Sequence, residues 1–381
     1  MEKIFDILVT SEFGLESVLK QECIDLGFED LEVSNGKIEF KGNFSDIVKA
    51  NLWLRTAERV FIKLFEFKAL SYDDIYDNVY NFDWENYLSK DGQFIVLGKS
   101  HKSKMFSISD NQSITKKAII DRMRKEYGID WFNEDKERYK ITLSIFEDVA
   151  SVTLDTSGSG LHKRGYRTKH NLAPLKETMA AGLILLSNWK SETPLVDLFA
   201  GSGTIVIEAA MIGKNIAPGI SRDFDFKHWK FFDSKYYKEE KLKAYQAIND
   251  EDLDIMGFDI DGNAIKIAVE NAINASVDDQ IKFVVKDVGR VGLKNNFPVI
   301  ISNPPYGERM GDAEDMDHIY KSIKNHMNTL TTASFYFISS DKDFERKVGH
   351  RAVKKRKLFN GRIEVDYYQY PGLDPSLLFG G

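Results

Sequence analysis

The chain has 381 residues, of which 43% are apolar, as expected for two or three domains with ordinary packed cores. No apolar stretch approaches the roughly 20 residues of a membrane-spanning helix, and the N-terminus lacks the features of a signal peptide. Cys23 is the only cysteine, which excludes an intramolecular disulfide and a cysteine-rich zinc site. We therefore expect a soluble, cytoplasmic protein. The seven histidines show no metal-ligand spacing, so no metal is predicted.

The net charge of −7 argues mildly against a nucleic-acid partner, because phosphate binding usually leaves a basic footprint. Three basic clusters nevertheless interrupt the acidic chain, at 99–104, 162–167 and 347–357. A single run of this kind is usually a solvated face. Three runs indicate segregated charge and a polyanionic partner. The candidate contacts are Lys163, Arg164, Arg167, Lys354, Lys355 and Arg356.

The N-terminal third is predicted to be mixed α/β with antiparallel strands. Asn35-Gly36 is a strong hairpin signal, and Gly27 is placed to end a helix. The predicted elements are a strand at 3–10, a helix at 12–26, a hairpin at 31–40, a strand at 59–67, a helix at 110–127 and a strand pair at 139–146 and 150–155.

A break at 156–160, rich in serine and glycine, separates this region from a helix predicted at 176–186. Strands and helices then alternate, which is typical of a doubly wound, mostly parallel sheet. The predicted strands are 195–199, 254–259, 281–286, 298–302, 334–340, 353–359 and 363–370. The segment 214–252 is interpreted as an insertion.

Polar and small residues fall at the predicted strand ends. Ligands of such sheets bind outside the carboxyl ends of the strands, so this placement predicts a site there. The glycine turn after the strand at 195–199 would let the backbone approach a nucleotide-like cofactor, and the following helix offers free N–H groups. The cofactor candidates at this turn are Asp197, Phe199, Gly201, Ser202, Gly203 and Thr204. A ligand-free turn is the alternative interpretation.

Two further strand ends carry aspartates. Asp259 is predicted to accept hydrogen bonds from ribose hydroxyls, with Ile260 beside it, whereas Asp261 is better placed to cap the next helix. Asp287 could accept a bond from the adenine amino group. An ordinary turn aspartate is the competing explanation for Asp287.

The tetrapeptide Asn303-Pro304-Pro305-Tyr306 follows an apolar strand and gives the sharpest signal. Prolines fix φ and remove donors, so this turn presents carbonyl oxygens. The amide oxygen of Asn303 and the carbonyl of Pro304 could accept both hydrogens of a planar amino group, and Tyr306 could stack on the ring that carries it. Together with the glycine turn, this predicts methyl transfer from S-adenosylmethionine to an exocyclic or amide nitrogen. Alignment alone supplies most of the acceleration in such a displacement, so no catalytic base is required. His318 and His326 are interpreted as ordinary helix-surface residues.

The sequence from about residue 156 onward resembles class I S-adenosylmethionine-dependent methyltransferases, and within them the THUMP-containing guanine-N2 RNA methyltransferases. The resemblance rests on five segments: 161–167, 173–178, 197–204, 303–307 and 360–364. It implies a Rossmann-like catalytic sheet at 156–381, a ferredoxin-like subdomain at 1–65 and a THUMP RNA-binding domain at 66–155. The two N-terminal assignments rest on pattern and order alone.

The resemblance also implies methylation of guanine N2 in structured RNA, most closely as in bacterial enzymes acting on 23S ribosomal RNA, or on an assembly intermediate. The six basic candidates would then be RNA contacts. We expect a monomer or a weak dimer. Four alternatives stay open: a transfer RNA guanine-N2 methyltransferase, a DNA adenine-N6 methyltransferase, a protein glutamine methyltransferase and a non-catalytic RNA-binding protein.

Overall fold

The computed structural model describes residues 3–167, 175–294, 296–305, 313–361 and 363–372. Within these ranges the chain forms two seven-stranded sheets, one from each half of the sequence. No helix in the described ranges combines the length and the apolar character needed to cross a membrane. The predicted division into an N-terminal α/β region and a C-terminal doubly wound sheet is confirmed.

The first sheet has the strand order β2-β3-β1-β4-β7-β6-β5 and is antiparallel except for the pair of β5 and β6. Its long strand β4 pairs with β1 on one side and β7 on the other, so the ferredoxin-like and THUMP regions share one continuous sheet. The elements are β1 (Phe5–Ser11), α1 (Glu16–Asp25), β2 (Glu32–Ser34), β3 (Lys37–Gly42), α2 (Phe44–Trp53), β4 (Ala57–Lys68), α3 (Tyr72–Tyr80), β5 (Gln93–His101), α4 (Ile108–Tyr127), β6 (Arg138–Phe146) and β7 (Val149–Asp155).

Three elements of this half were not predicted: α2, α3 and β5. Both helices begin with a capping box, in which the side chain of Asn43 or Ser71 accepts the backbone N–H three residues later and an aspartate returns the bond. The spacings Asn43–Asp46 and Ser71–Asp74 are capping-box patterns, so the sequence alone could have predicted where both helices begin. The basic cluster at 99–104 begins at the end of β5.

The second sheet has the order β10-β9-β8-β11-β12-β14-β13. Its first five strands are parallel, and β14 is antiparallel to both β12 and β13. The chain moves outward in opposite directions from central β8, which creates the crevice where such sheets bind ligands. The elements are α5 (Glu177–Leu186), β8 (Leu195–Asp197), α6 (Thr204–Gly213), α7 (Ser234–Gln246), β9 (Ile255–Asp259), α8 (Gly262–Asn274), β10 (Ile281–Val285), β11 (Val299–Ser302), α9 (Ala313–Thr329), β12 (Ser334–Ser339), α10 (Phe344–Val348), β13 (Lys354–Asn360) and β14 (Ile363–Tyr370).

The insertion at 214–252 packs against the first sheet rather than standing apart. Five of its aromatic side chains belong to the apolar core of the N-terminal half: Phe224, Phe226, Trp229, Phe232 and Tyr237. The backbone N–H of Gly219 also donates to the carbonyl of Leu52 at 2.9 Å. A Cβ at Gly219 would lie 2.6 Å from the Asn51 carbonyl oxygen, so a glycine permits this approach. The insertion therefore joins the two halves.

The serine- and glycine-rich break at 156–160 is largely buried between the two halves of the chain. Thr156 and Ser157 are fully buried. Thr156 donates its N–H to Val60 at 3.0 Å, and the guanidinium of Arg222 donates to the Gly160 carbonyl at 2.9 Å. Hydrogen bonds to residues distant in sequence thus satisfy backbone N–H and C=O groups of this buried segment.

Candidate active site

A cavity of about 610 Å³ opens at the carboxyl ends of β8, β9, β10 and β11, the predicted location. Its volume lies in the range typical of small-molecule and cofactor pockets. Eleven predicted site residues line it: Asp197, Phe199, Gly201, Ser202, Thr204, Asp259, Ile260, Asp287, Asn303, Pro304 and Pro305. Of the other two residues predicted for this pocket, Gly203 is described below and Tyr306 lies outside the described residues.

The glycine turn between β8 and α6 is held against β9. Gly201 has a φ of 53°, and its N–H donates to Asp259 Oδ2 at 2.8 Å. A Cβ at Gly201 would meet no heavy atom within 4 Å, so space for a ligand remains beside it. Gly203 does not line the cavity, contrary to prediction. A Cβ added at Gly203 would lie 3.0 Å from the Cβ of Ala268, and the φ of Gly203 is 83°. This glycine therefore permits the turn and the close packing of α8.

The Asp259 carboxylate is oriented by two backbone donors. Besides Gly201, the N–H of Asp261 donates to its Oδ1 at 2.9 Å. Asp261 caps α8 as predicted, accepting from Asn263 N at 2.8 Å. A carboxylate has about four acceptor sites, so Asp259 retains capacity for hydroxyl donors of a ligand.

Asp197 lies at the bottom of the cavity and is only 1% exposed. Its Oδ1 accepts the N–H of Phe199 at 3.0 Å. Burial, with a smaller contribution from the charge of Asp259, raises the pKa of Asp197 to about 7. A cation bound nearby would favour its ionised form.

Asn303 directly follows β11 and presents an unsatisfied acceptor. Its Oδ1 is buried and has no hydrogen-bond donor in the part of the chain that the structure describes. Leaving such a group unpaired costs about 1–3 kcal/mol. Because Asn303 and Pro304 line the cavity, a ligand amino group could satisfy this oxygen.

His318 and His326 were expected on a helix surface; this prediction is confirmed for His318, which is exposed on α9, and is wrong for His326. His318 projects from α9 to the cavity, with Nε2 3.0 Å from Asp287 Oδ1 and 3.1 Å from Oδ2. His326 is 6% exposed, and its Nε2 lies 2.8 Å from the Val288 carbonyl oxygen. Both therefore connect α9 to the loop after β10.

Sequence reasoning also missed several lining residues, among them Leu175, Lys286, Asp315 and Ile319. Leu175 precedes α5, while Asp315 and Ile319 lie on α9, and only packing brings these helices to the cavity. Among the described residues, the cavity lining holds five aspartates, namely Asp197, Asp259, Asp261, Asp287 and Asp315, against one lysine, Lys286. This excess of carboxylates suits a cationic ligand.

The basic candidates divide into exposed and internal residues. Lys163, Lys354 and Lys355 are exposed, whereas Arg356 donates to the Gly14 carbonyl at 2.9 Å. Arg164 is 3% exposed, 3.4 Å from the buried carboxylate of Glu208, so a direct RNA contact does not fit this side chain.

Arg167 also differs from its predicted role as an RNA contact. Its Nη2 donates to Thr204 Oγ1 at 2.6 Å and to the Leu175 carbonyl at 3.2 Å, and its Nε lies 3.3 Å from Glu177. Thr204 and Leu175 both line the cavity. The guanidinium therefore supports the cavity wall.

Comparison with known proteins agrees with this architecture. Residues 164–369 match the family described as RMKL-like, methyltransferase domain, residues 6–61 the RlmL ferredoxin-like domain and residues 69–155 the THUMP domain. The "Putative RNA methyltransferase YpsC" of Bacillus subtilis is 43% identical over 97% of this chain and 96% of its own length.

A "Ribosomal RNA large subunit methyltransferase K/L" of Psychromonas ingrahamii is 36% identical over 94% of this chain and 49% of its own length. The chain thus spans about half of that protein. The crystal structure of SMU.472, described as "a putative methyltransferase complexed with SAH", is 42% identical, covers 98% of this chain and 100% of its own, and has a TM-score of 0.92.

The doubly wound sheet with its acidic, strand-end cavity defines a class I methyltransferase fold. The chain belongs to the RMKL-like methyltransferase family, with RlmL-type ferredoxin-like and THUMP regions before the catalytic domain. Its cofactor is S-adenosylmethionine, whose sulfonium and ammonium groups fit the excess of carboxylates in the cavity.

Proposed function

We propose that the protein transfers a methyl group from S-adenosylmethionine to the exocyclic N2 of a guanine in structured RNA, and that this RNA is 23S ribosomal RNA or its assembly intermediate. The family and the THUMP domain make it an S-adenosylmethionine-dependent RNA methyltransferase. The target nitrogen and the kind of RNA are our proposal. The observation that carries it is the buried amide oxygen of Asn303 at the cavity, which has no hydrogen-bond donor among the described residues.

The cofactor supplies an electrophilic methyl group on a sulfonium. We assign Asp259 to the ribose hydroxyls, Asp287 to the adenine amino group and Asp197 to the cationic end of the cofactor. The backbone at Gly201 lies where a ligand can approach without meeting side chains, while Phe199, Ser202, Thr204 and Ile260 contribute to the wall.

The acceptor side needs two hydrogen-bond acceptors and no base. Asn303 Oδ1 and the carbonyl of Pro304 would accept the two hydrogens of the guanine amino group, which aims the nitrogen lone pair toward the methyl. Positioning of this kind can supply about 7–11 kcal/mol of the barrier reduction. The proton leaves the nitrogen as or after the methyl arrives. Tyr306 remains our candidate for stacking on the base.

Exposed cations supply a surface for the RNA backbone. Lys163, Lys354 and Lys355 are exposed on the catalytic half. On the THUMP region, Lys99, Lys102 and Lys104 are exposed, and Lys102 Nζ lies 5.9 Å from the ring centroid of Phe146, which stacks on His101 with centroids 5.9 Å apart. Cations interleaved with aromatic rings are typical of surfaces that contact phosphates and unstacked bases.

The deciding experiment uses total RNA, DNA and protein from a strain that lacks this gene. Each is incubated with the enzyme and labelled S-adenosylmethionine, and the labelled product is identified by mass spectrometry. We expect N2-methylguanosine in 23S ribosomal RNA. The same nucleoside in transfer RNA would correct the substrate, and label only as N6-methyladenine in DNA or methylglutamine in protein would overturn the proposal.

A further inference from the structure

We infer that His318 is a positioning residue for cofactor recognition: it fixes the carboxylate of Asp287 so that this carboxylate can select the adenine amino group. The inference rests on the assignment of Asp287 under the proposed function. It adds a role for α9, the helix after the acceptor turn, in the choice of cofactor base.

The geometry of the pair is close to symmetric. His318 Nε2 lies 3.0 Å from Asp287 Oδ1 and 3.1 Å from Oδ2. Because an ionised carboxylate only accepts, Nε2 must carry the hydrogen. Both residues line the cavity, and the side chain of Asp287 is 23% exposed. The imidazole therefore holds the carboxylate while leaving part of it accessible.

A second donor restricts rotation of the same carboxylate. The backbone N–H of Gly289 donates to Asp287 Oδ1 at 2.9 Å. With Gly289 bonded to Oδ1 and the imidazole hydrogen shared between the oxygens, Oδ2 keeps a free acceptor site. The adenine amino group is a donor of matching size. A carbonyl at the same ring position would face that oxygen without a hydrogen and be rejected.

The ring of His318 is itself held by close packing. A Cβ at Gly289 would lie 3.0 Å from His318 Cε1 and 2.8 Å from Ser322 Oγ, so the glycine backbone packs closely beside the ring. Ser322 in turn donates its hydroxyl to the His318 carbonyl at 2.8 Å. The loop after β10 therefore packs against one edge of the imidazole, while the side chain stays 54% exposed.

The test compares two cofactor products that differ only at the base: S-adenosylhomocysteine and S-inosylhomocysteine, which carries a carbonyl in place of the amino group. Kd values for both are measured by calorimetry on the full chain of the wild type, His318→Leu and His318→Gln. The wild type is expected to prefer adenine, and His318→Leu to lose about tenfold of that preference, the order of one hydrogen bond to a charged group. His318→Gln retains a donor and should keep most of the preference.

Two further variants make the result specific. His228 pairs with Asp223 at 2.8 Å and has a side-chain exposure of 56%, close to the 54% of His318, but it lies outside the cavity lining. His228→Leu should leave both Kd values unchanged. In an Asp287→Ala background, His318→Leu should cause no additional change in preference, because the imidazole acts through that carboxylate.

An adenine preference that survives in His318→Leu but is lost in Asp287→Ala would overturn the inference and leave the assignment of Asp287 standing. Equal weakening of both ligands in His318→Leu would also overturn it, since the ring would then serve packing alone. A preference that survives in Asp287→Ala as well would place the failure in the assignment of Asp287.

Discussion

Glu58 of the N-terminal sheet and Lys176 beside the cavity form an ion pair of 3.2 Å that joins the two halves of the molecule. Lys176 also reaches Glu12 at 2.5 Å, and Glu58 accepts the hydroxyl of Thr178 at 2.6 Å. Lys176 directly follows Leu175, which lines the cavity. The N-terminal half is thus linked to the segment beside the cavity wall through the carboxylates of Glu58 and Glu12.

The variant Glu58→Gln should lower RNA methylation more than cofactor binding, because it removes a charge from this link while leaving the cavity lining intact. We expect a loss of about tenfold in kcat/KM for RNA and a Kd for S-adenosylmethionine within about threefold, as a lost partner costs about 1–3 kcal/mol. Lys63→Met, which breaks a salt bridge with Glu39 within the first sheet, is the matched control. An equal loss of RNA methylation and of cofactor binding would show that Glu58 does not link the N-terminal half to RNA methylation specifically.

The loss of stability caused by Glu58→Gln, relative to wild type, should depend on pH. Burial would raise the pKa of Glu58, but contacts with His162 and Thr178 and the charge of Lys176 outweigh this effect and lower it to about 2. Because the pKa is depressed in the folded state, the stabilisation is present above the ordinary value of about 4.3 and is lost as pH falls toward 2. The free energy of unfolding of wild type and variant should therefore differ at pH 7, and the difference should shrink as pH falls from about 4 toward 2.

Asp197→Asn should separate stability from cofactor affinity. The folded-state pKa of about 7 lies above the ordinary value of about 3.9, so Asp197 lowers stability as pH rises from about 4 to 7. The variant lacks this loss and should be more stable than wild type at pH 8, while binding S-adenosylmethionine more weakly. Wild-type affinity should rise with pH through about 7 in calorimetric titrations. The same rise in Asp197→Asn would assign it to another group.

Asn303→Ala should abolish turnover yet leave cofactor binding within a few-fold, because the amide oxygen serves the acceptor and not the cofactor. A loss of about 100-fold or more in kcat is expected from single-turnover measurements at saturating RNA. Calorimetry with S-adenosylmethionine provides the control. An equal loss of binding and turnover would remove Asn303 from the acceptor role.

Deleting residues 1–155 should not leave a stable catalytic domain, because the insertion at 214–252 packs into the core of the N-terminal half. The deletion would expose four aromatic side chains of the insertion: Phe224, Phe226, Trp229 and Phe232. Burial of each stabilises the fold by about 1.5–3 kcal/mol. We expect the fragment to aggregate, and the full chain to unfold in one cooperative transition by calorimetry. A soluble fragment that binds cofactor with wild-type affinity would show that the halves fold independently.

The sequence by itself determined the catalytic sheet and most of its ligand edge. Short continuous apolar runs followed by Asp197, Asp259, Asp287 and Asn303 are local signals, and parallel topology brings such strand ends to one side. The Asn35-Gly36 hairpin and the cap at Asp261 are equally local. Each follows from a few neighbouring residues.

Only the tertiary structure decided which charged residues face solvent and which join the halves. Arg164 and Lys163 are adjacent in one basic run, yet the first is buried against Glu208 and the second is exposed. His318 reaches Asp287 across 31 residues of sequence. Which charged side chains are buried or paired depends on how the helices pack on the sheet. The order of charges along the chain does not determine that packing, so it cannot predict their burial.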